Sequence, residues 1–180
     1  PYSNSYANGF YSDDHGDTWQ LSPSIDMPYG NESTVAQLAD GSILENFRYQ
    51  VQKDFSNQPI ETKYRALCLS TDGGNSWGDA YLNNDLPTPV CHGSMIDVEY
   101  LCNHYLLFSH PNNQERRINM TIFASADNGV TWPKKFLISE GPGSYSALIK
   151  LDYETVGLMY EYGDKGGIVY RSVKIKDILN

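Results

Sequence analysis

Apolar positions along the chain come in short runs, each cut off within a few residues by Gly, Pro, Asn, Asp or Ser. The runs at 66–69, 105–108, 118–124, 147–149, 156–160 and 167–170 have the length and composition of strands, and no segment sustains a helical period. Val35-Ala36-Gln37-Leu38, then Asp40-Gly41, then Ser42-Ile43-Leu44 predicts strand, tight turn, strand. Residues 21–30, broken by Pro23 and Pro28, read as loop, and so do the polar stretches 49–62 and 109–115. Pro87 and Pro89 break the chain before a further strand within 90–96. The pattern predicts one all-β unit over 1–180, with no internal domain boundary.

One stretch recurs within this pattern. Ser12-Asp13-Asp14-His15-Gly16-Asp17-Thr18-Trp19, Ser70-Thr71-Asp72-Gly73-Gly74-Asn75-Ser76-Trp77 and Ser125-Ala126-Asp127-Asn128-Gly129-Val130-Thr131-Trp132 share the form Ser-x-Asp-x-Gly-x-(Thr/Ser)-Trp, at intervals of 58 and 55 residues. Self-similarity at that period marks a repeat architecture, here of propeller-blade size. The Asp can accept backbone N–H bonds in an Asx-type turn, and Gly supplies a positive φ without a Cβ clash. The closing Trp is an apolar anchor that can pin the turn against its sheet. Each octet is therefore read as a β-hairpin tip. Three similar copies at blade spacing fit scaffolding better than a metal site or a catalytic site.

Composition narrows the function classes. Thirteen Lys+Arg against 22 Asp+Glu leave a net charge of −9, which argues against nucleic acid and anionic membranes as principal partners. Cys68, Cys91 and Cys102 stand at no metal-ligand spacing and read as buried structural thiols. No run approaches the length of a membrane span. The opening Pro1-Tyr2-Ser3-Asn4 reads as the middle of a longer protein.

Four elements outside the scaffold carry candidate chemistry. Alternation along a strand puts Arg48 on the same face as Asn46 and turns Glu45 and Phe47 the other way. Arg117 opens the strand Arg117-Ile118-Asn119-Met120-Thr121. Gly143-Ser144-Tyr145-Ser146 presents a Tyr at a strand entrance, and Gly30-Asn31-Glu32-Ser33 presents a carboxylate at another. Singly, each has an ordinary reading: a solvated Arg, a rim Tyr, an exposed Glu. Two strand-end arginines, a turn-presented Tyr and a Glu together form a constellation.

These residues and the octets resemble the sialidase (neuraminidase) family, whose Asp-boxes the octets match. Asn31-Glu32-Ser33 with Asn46-Phe47-Arg48 is similar to the stretch bearing that family's catalytic Glu and second arginine. Ser109-His110-Pro111 with Arg117-Ile118-Asn119 resembles the stretch of the third arginine, and Gly143-Ser144-Tyr145-Ser146-Ala147-Leu148 the segment of the nucleophilic Tyr. Pro89-Val90-Cys91-His92-Gly93-Ser94 also resembles a family loop, without an assigned role. The resemblance implies Tyr145 and Glu32 as catalytic residues, Arg48 and Arg117 as substrate-binding residues, Glu161 in support, and neither cofactor nor metal. It implies about three blades of a six-bladed β-propeller, the C-terminal part of a retaining exo-α-sialidase. Sialylated glycoproteins, gangliosides and oligosaccharides are the implied partners, with the N-terminal half of the propeller, which would bring the first arginine and the acid/base Asp. A lysosomal or secretory location accompanies it, with Asn31-Glu32-Ser33 and Asn119-Met120-Thr121 as glycosylation sequons. Two other readings stay open: a non-catalytic Asp-box propeller serving as a binding or scaffold module, and an inactive truncated homologue.

Overall fold

A computed structural model describes residues 5–50, 63–163 and 166–180. Its strands follow the short apolar runs and pair only with antiparallel neighbours. A two-residue pair, β1 (Phe10–Tyr11) with β2 (Gln20–Leu21), comes first. A four-stranded sheet follows in sequence order: β3 (Gly30–Gln37), β4 (Ile43–Tyr49), β5 (Tyr64–Ser70) and β6 (Tyr81–Pro87). The remaining strands are β7 (Ser94–Tyr100), β8 (Asn103–Pro111), β9 (Ile118–Ser125), β10 (Lys134–Lys150), β11 (Thr155–Tyr162) and β12 (Gly167–Lys174). They are linked through β10. Its first part pairs with β9 and its second with β11, and its register shifts at Leu137/Ser139, Ser139/Pro142 and Gly143/Ser146.

That bend turns one run of strands into two sheets, β7–β10 and β10–β12, stacked as successive blades. Three interleaved cores hold the stack together. Ala7, Ile25, Phe47, Ala66 and Cys68 pack on one face of the first sheet. Leu44, Leu67, Leu86, Met95, Phe108, Phe123 and Trp132 fill the space between the first and second sheets. Leu107, Met120, Ile122, Leu148, Val156 and Leu158 fill the next, closed by a five-residue helix α1 (Ile175–Leu179) through Ile175 and Ile178. Among the described residues the helix is the one departure from the all-strand expectation; five residues are too few to leave a period in the sequence. Strand β6 and the first half of β10 also lack a sustained apolar run, and few of their residues are fully buried. Of the polar stretch 49–62, Tyr49 closes β4 and 51–62 lie outside the described residues. The strands amount to about three blades of a β-propeller: two complete, one outer pair before them and three strands after.

The octets are the third-to-fourth strand turns, between β1 and β2, β5 and β6, and β9 and β10. Their hydrogen bonds repeat. The Ser hydroxyl accepts the Gly N–H at Gly16, Gly74 and Gly129 (2.7, 2.9 and 2.9 Å). The Asp carboxylate accepts the N–H of Thr18, Ser76 and Thr131 (2.8, 2.8 and 2.9 Å), and their hydroxyls too. The glycines stand at φ 97°, 88° and 86°, where a Cβ would be strained. The Asp oxygens are consumed in holding the turn, as the scaffolding reading requires. Trp132 is fully buried against the first sheet, while Trp19, with no sheet beyond it among the described residues, is 60 % exposed. Cys68 and Cys91 are buried as expected, but Cys102 is exposed, in a turn where it and Leu101 take positive φ.

The octets sit at one end of the sheets, where β5 and β9 end. The starts of β3, β7 and β9, the bend in β10 and the end of β4 meet at the other. That end carries all four candidate residues.

Candidate active site

Two irregularities in the ladders aim Glu32 and Tyr145 at each other. The β3–β4 register shifts between Gly30 and Ser33, around Glu32, and the β10–β11 register shifts between Gly143 and Ser146, around Tyr145. A bulge breaks strict alternation and re-aims a side chain at the rim of a sheet. Inner strands then lock the three sheets in register: the Thr34 hydroxyl accepts the Met95 N–H (3.1 Å) and the Ser94 hydroxyl accepts the Leu148 N–H (2.9 Å).

The Tyr145 hydroxyl donates to Glu32 Oε1. Arg48 Nη1 donates to the other carboxylate oxygen at 2.9 Å and lies 3.5 Å from the Tyr145 oxygen. Its Nη2 is fixed by Gln50 Oε1 at 2.6 Å. On the far side, the Arg117 guanidinium stands 5.5 Å from the centre of the Tyr145 ring, donating to the Ser144 hydroxyl (3.0 Å) and the Val90 carbonyl (3.1 Å). The His92 ring lies 5.5 Å from the Tyr145 ring. Glu161 accepts the Tyr145 backbone N–H at 3.3 Å, so it supports the Tyr backbone while Glu32 meets the phenol.

Burial works against the Glu32 carboxylate, but the bonds from Tyr145 and Arg48 and the Arg48 charge outweigh it and hold its carboxyl below the usual value. The same bond to Glu32, with burial, pushes the Tyr145 phenol up, against the pull of Arg48 and Arg117. The resting proton therefore belongs to Tyr145, already pointed at its acceptor. Burial and the Arg65 charge depress His92, against the attraction of Glu32.

The four residues named from the sequence, Glu32, Arg48, Arg117 and Tyr145, converge at this one point. Glu45 does not join them: it is fully buried on the opposite face of β4, paired with Cys68 across the ladder. Asn46 shares the Arg48 face, as alternation requires. Among the described residues no three His, Cys, Asp or Glu side chains converge as metal ligands. A pocket of about 320 Å³ beside Tyr145 is lined by His92, Ala147, Met159, Glu161 and Ile168.

Residues 3–158 match the family of BNR repeat-like domains. The chain is 35% identical over 171 residues to a sialidase of Micromonospora viridifaciens, covering 92% of this chain and 25% of that protein. It is 32% identical over 177 residues to a sialidase of Bacteroides fragilis, covering 94% of this chain and 30% of that one. The solved Hadza microbial sialidase Hz136 superposes with a TM-score of 0.82 at 32% identity, over 96% of this chain and 33% of its own. The chain belongs to the BNR-repeat sialidase family. It spans a quarter to a third of the length of these relatives.

Several residues at this sialidase-family site carried no sequence signal of a role. Val90 takes φ 58°, a strained conformation for a β-branched residue, and turns its carbonyl to Arg117. Gly93 is obligatory for a different reason: a Cβ there would come within 2.5 Å of the Phe108 ring. Together they shape the segment that sets His92 against Tyr145. The resemblance of Pro89–Ser94 to a family loop was the available trace of this; Gln50 and Ser144 had none.

Proposed function

We propose that these 180 residues are the C-terminal part of the catalytic domain of a retaining exo-α-sialidase, which removes terminal sialic acids from glycoproteins, gangliosides and oligosaccharides. The observation that carries this reading is the Tyr145–Glu32 hydrogen bond held between Arg48 and Arg117. Sialic acid bears a carboxylate at its anomeric carbon, and guanidinium forks match that group. An anionic Asp or Glu nucleophile would be repelled by it, whereas a neutral phenol is not; a Tyr nucleophile is the recognised sialidase exception among glycosidases. A phenol attacks poorly until a neighbouring base takes its proton. Glu32 is in place to do so.

In this reading Arg48 and Arg117 orient the sugar carboxylate, and Tyr145 Oη forms a bond to the anomeric carbon as its proton passes to Glu32. The bond to the leaving oxygen breaks, and water then cleaves the glycosyl–tyrosine link. Because Tyr145 is raised and Glu32 lowered, proton transfer accompanies attack and does not precede it. An acid for the leaving oxygen and a further arginine for the carboxylate come from the protein outside these residues. A lysosomal or secretory location is part of the proposal, with Asn119 glycosylated and Asn31 bare, since a glycan on Asn31 would crowd Glu32; glycopeptide mass spectrometry tests it.

The full-length protein should hydrolyse a fluorogenic α-sialoside, and NMR should show the α-anomer of sialic acid as the first product. Initial release of the β-anomer would contradict retention.

A further inference from the structure

Behind the site, in the core between the first two sheets, lies an unneutralised charge. Arg65 is fully buried and among the largest side chains that are. Its Nε donates to Asn46 Oδ1 (2.7 Å), its Nη2 to the Asn46 carbonyl (3.1 Å) and its Nη1 to the Cys91 carbonyl (2.7 Å). The guanidinium carbon stands 5.5 Å from the centre of the Phe108 ring. Every acceptor is neutral, and among the described residues no carboxylate forms an ion pair with it. Buried charges are ordinarily paired, because desolvation is otherwise uncompensated.

One position could pair it with almost no rearrangement. Asn46 Oδ1 already accepts the Nε–H, and Asn46 Nδ2 is buried without any partner. An aspartate of the same shape would keep the bond, lose none and neutralise the cation. The chain carries the amide instead, at a cost in both charge and hydrogen bonding.

We propose that Arg65 is a positioning residue for the active site. It ties Asn46, two residues before Arg48 on the same face of β4, to the carbonyl that precedes His92, and its unneutralised charge is kept for the anionic chemistry in front of it. Two jobs follow from one side chain. The three bonds fix the Arg48 strand end relative to the segment whose His92 ring flanks Tyr145. The charge supplies a positive potential that favours an ionised Glu32 and the carboxylate of a bound sialoside. Burial lowers Arg65 to about 9, so it remains a cation at neutral pH. The ionisable groups that feel it are Cys91, Glu32 and Arg48, together with His92 and His110, both of which it helps keep neutral.

This inference rests on the sialidase reading for its kinetics and is independent of it for its electrostatics, so the experiment takes both. In the full-length protein, Asn46→Asp neutralises Arg65 without removing an acceptor. A purely structural Arg65 predicts a variant at least as stable as the parent and equally active. The electrostatic role predicts the same stability with KM for a fluorogenic sialoside raised about tenfold, kcat changed less, and the acid limb of kcat/KM moved up by about one pH unit. Arg65→Met should behave likewise, and Arg65→Lys should restore the acid limb but not the full KM, since an ammonium lacks the planar fork. NMR titration of His92 requires no turnover: its midpoint should rise by about one pH unit in Asn46→Asp and stay near the parent value in Arg65→Lys. Should one variant fail to fold, the His92 midpoint of the other decides. A parental KM, acid limb and His92 midpoint in Asn46→Asp would overturn the electrostatic role of Arg65, and a parental KM in a folded Arg65→Met protein would overturn its positioning role. Absence of sialoside turnover in the parent would overturn the functional reading alone.

Discussion

The phenol of Tyr145 donates its hydrogen bond to the carboxylate of Glu32 across 113 residues of sequence, from one sheet to another. Each residue lies in a register shift at the start of an inner strand segment, and the two sheets meet only because a third, bearing Ser94 and Met95, is bonded to both. The pair is therefore a product of the blade stacking, and each flanking group has its own test.

Arg117 is expected to bind the substrate carboxylate from the side opposite Arg48. Arg117→Lys keeps the charge but loses the fork and one or both bonds to Ser144 and Val90. KM should rise by an amount corresponding to ~1.5–3 kcal/mol, with kcat less affected, the usual scale for a charge-assisted hydrogen bond. Steady-state kinetics on a sialoside checks this; an unchanged KM removes Arg117 from the carboxylate site.

The octets should carry the acid sensitivity of the fold. Asp14, Asp72 and Asp127 are all held below the ordinary value of 3.8, Asp14 to about 2. A carboxyl depressed in the folded state contributes fully above its unfolded pKa and loses that contribution as pH falls through the folded one. Stability should drop between about pH 4 and 2. Asp127→Asn should cost ~1 kcal/mol near neutrality and less at pH 2, because the parent has by then lost the same interaction. Chemical denaturation across that window decides it; an unchanged difference would contradict it.

Glu45 has the opposite sign. Both its oxygens are buried with no hydrogen bond of good geometry, and burial raises its carboxyl above 4.5, a weak interaction with the Ser33 hydroxyl offsetting only part. A group raised in the folded state contributes fully below its unfolded pKa and loses that contribution as pH rises through the folded one. Glu45→Leu should therefore stabilise the protein at neutral pH by ~1–3 kcal/mol, the range for relieving an unsatisfied buried group. The gain should shrink at pH 4. A loss of thermal stability at pH 7 would show that Glu45 is paired after all.

Residues 1–180 in isolation should self-associate and turn over no sialoside. The last sheet exposes Ile149 (59%), Met159 (51%), Ile168 (63%) and Tyr170 (52%) on one face, and the first strand pair exposes Phe10 (70%) and Leu21 (71%). Contiguous apolar faces of this kind seek cover. Light scattering with a fluorogenic assay tests both expectations; a monomer with robust turnover would mean that this segment holds its own acid/base.

The sequence was most legible where one residue's chemistry decides its geometry. Asp, Gly and Trp at fixed offsets announced the octet turns, and the strand alternation that separated Arg48 from Glu45 held through β4. It was least legible where geometry depends on distant packing. Nothing local says that Val90 takes a strained backbone to meet Arg117, or that the bulges at Glu32 and Tyr145 turn both side chains to one point. Arg65 reads as an ordinary charged residue in Tyr64-Arg65-Ala66, and only the packing of two sheets buries it. Strand β6 leaves no apolar run because Asn83-Asn84-Asp85 fill its middle, and the five residues of α1 are too few to leave a period.

The most direct test of the central claim is to find which atom the sugar becomes attached to. The full-length protein is incubated with a fluorinated sialosyl fluoride, which forms the glycosyl-enzyme faster than water can cleave it, and the digest is read by peptide mass spectrometry. One sialosyl adduct is expected, on Tyr145, absent in Tyr145→Phe, and formed ~10²–10⁴-fold more slowly in Glu32→Gln, the usual worth of a general base. An adduct on any carboxylate, or undiminished labelling and turnover in a folded Tyr145→Phe protein, would contradict it.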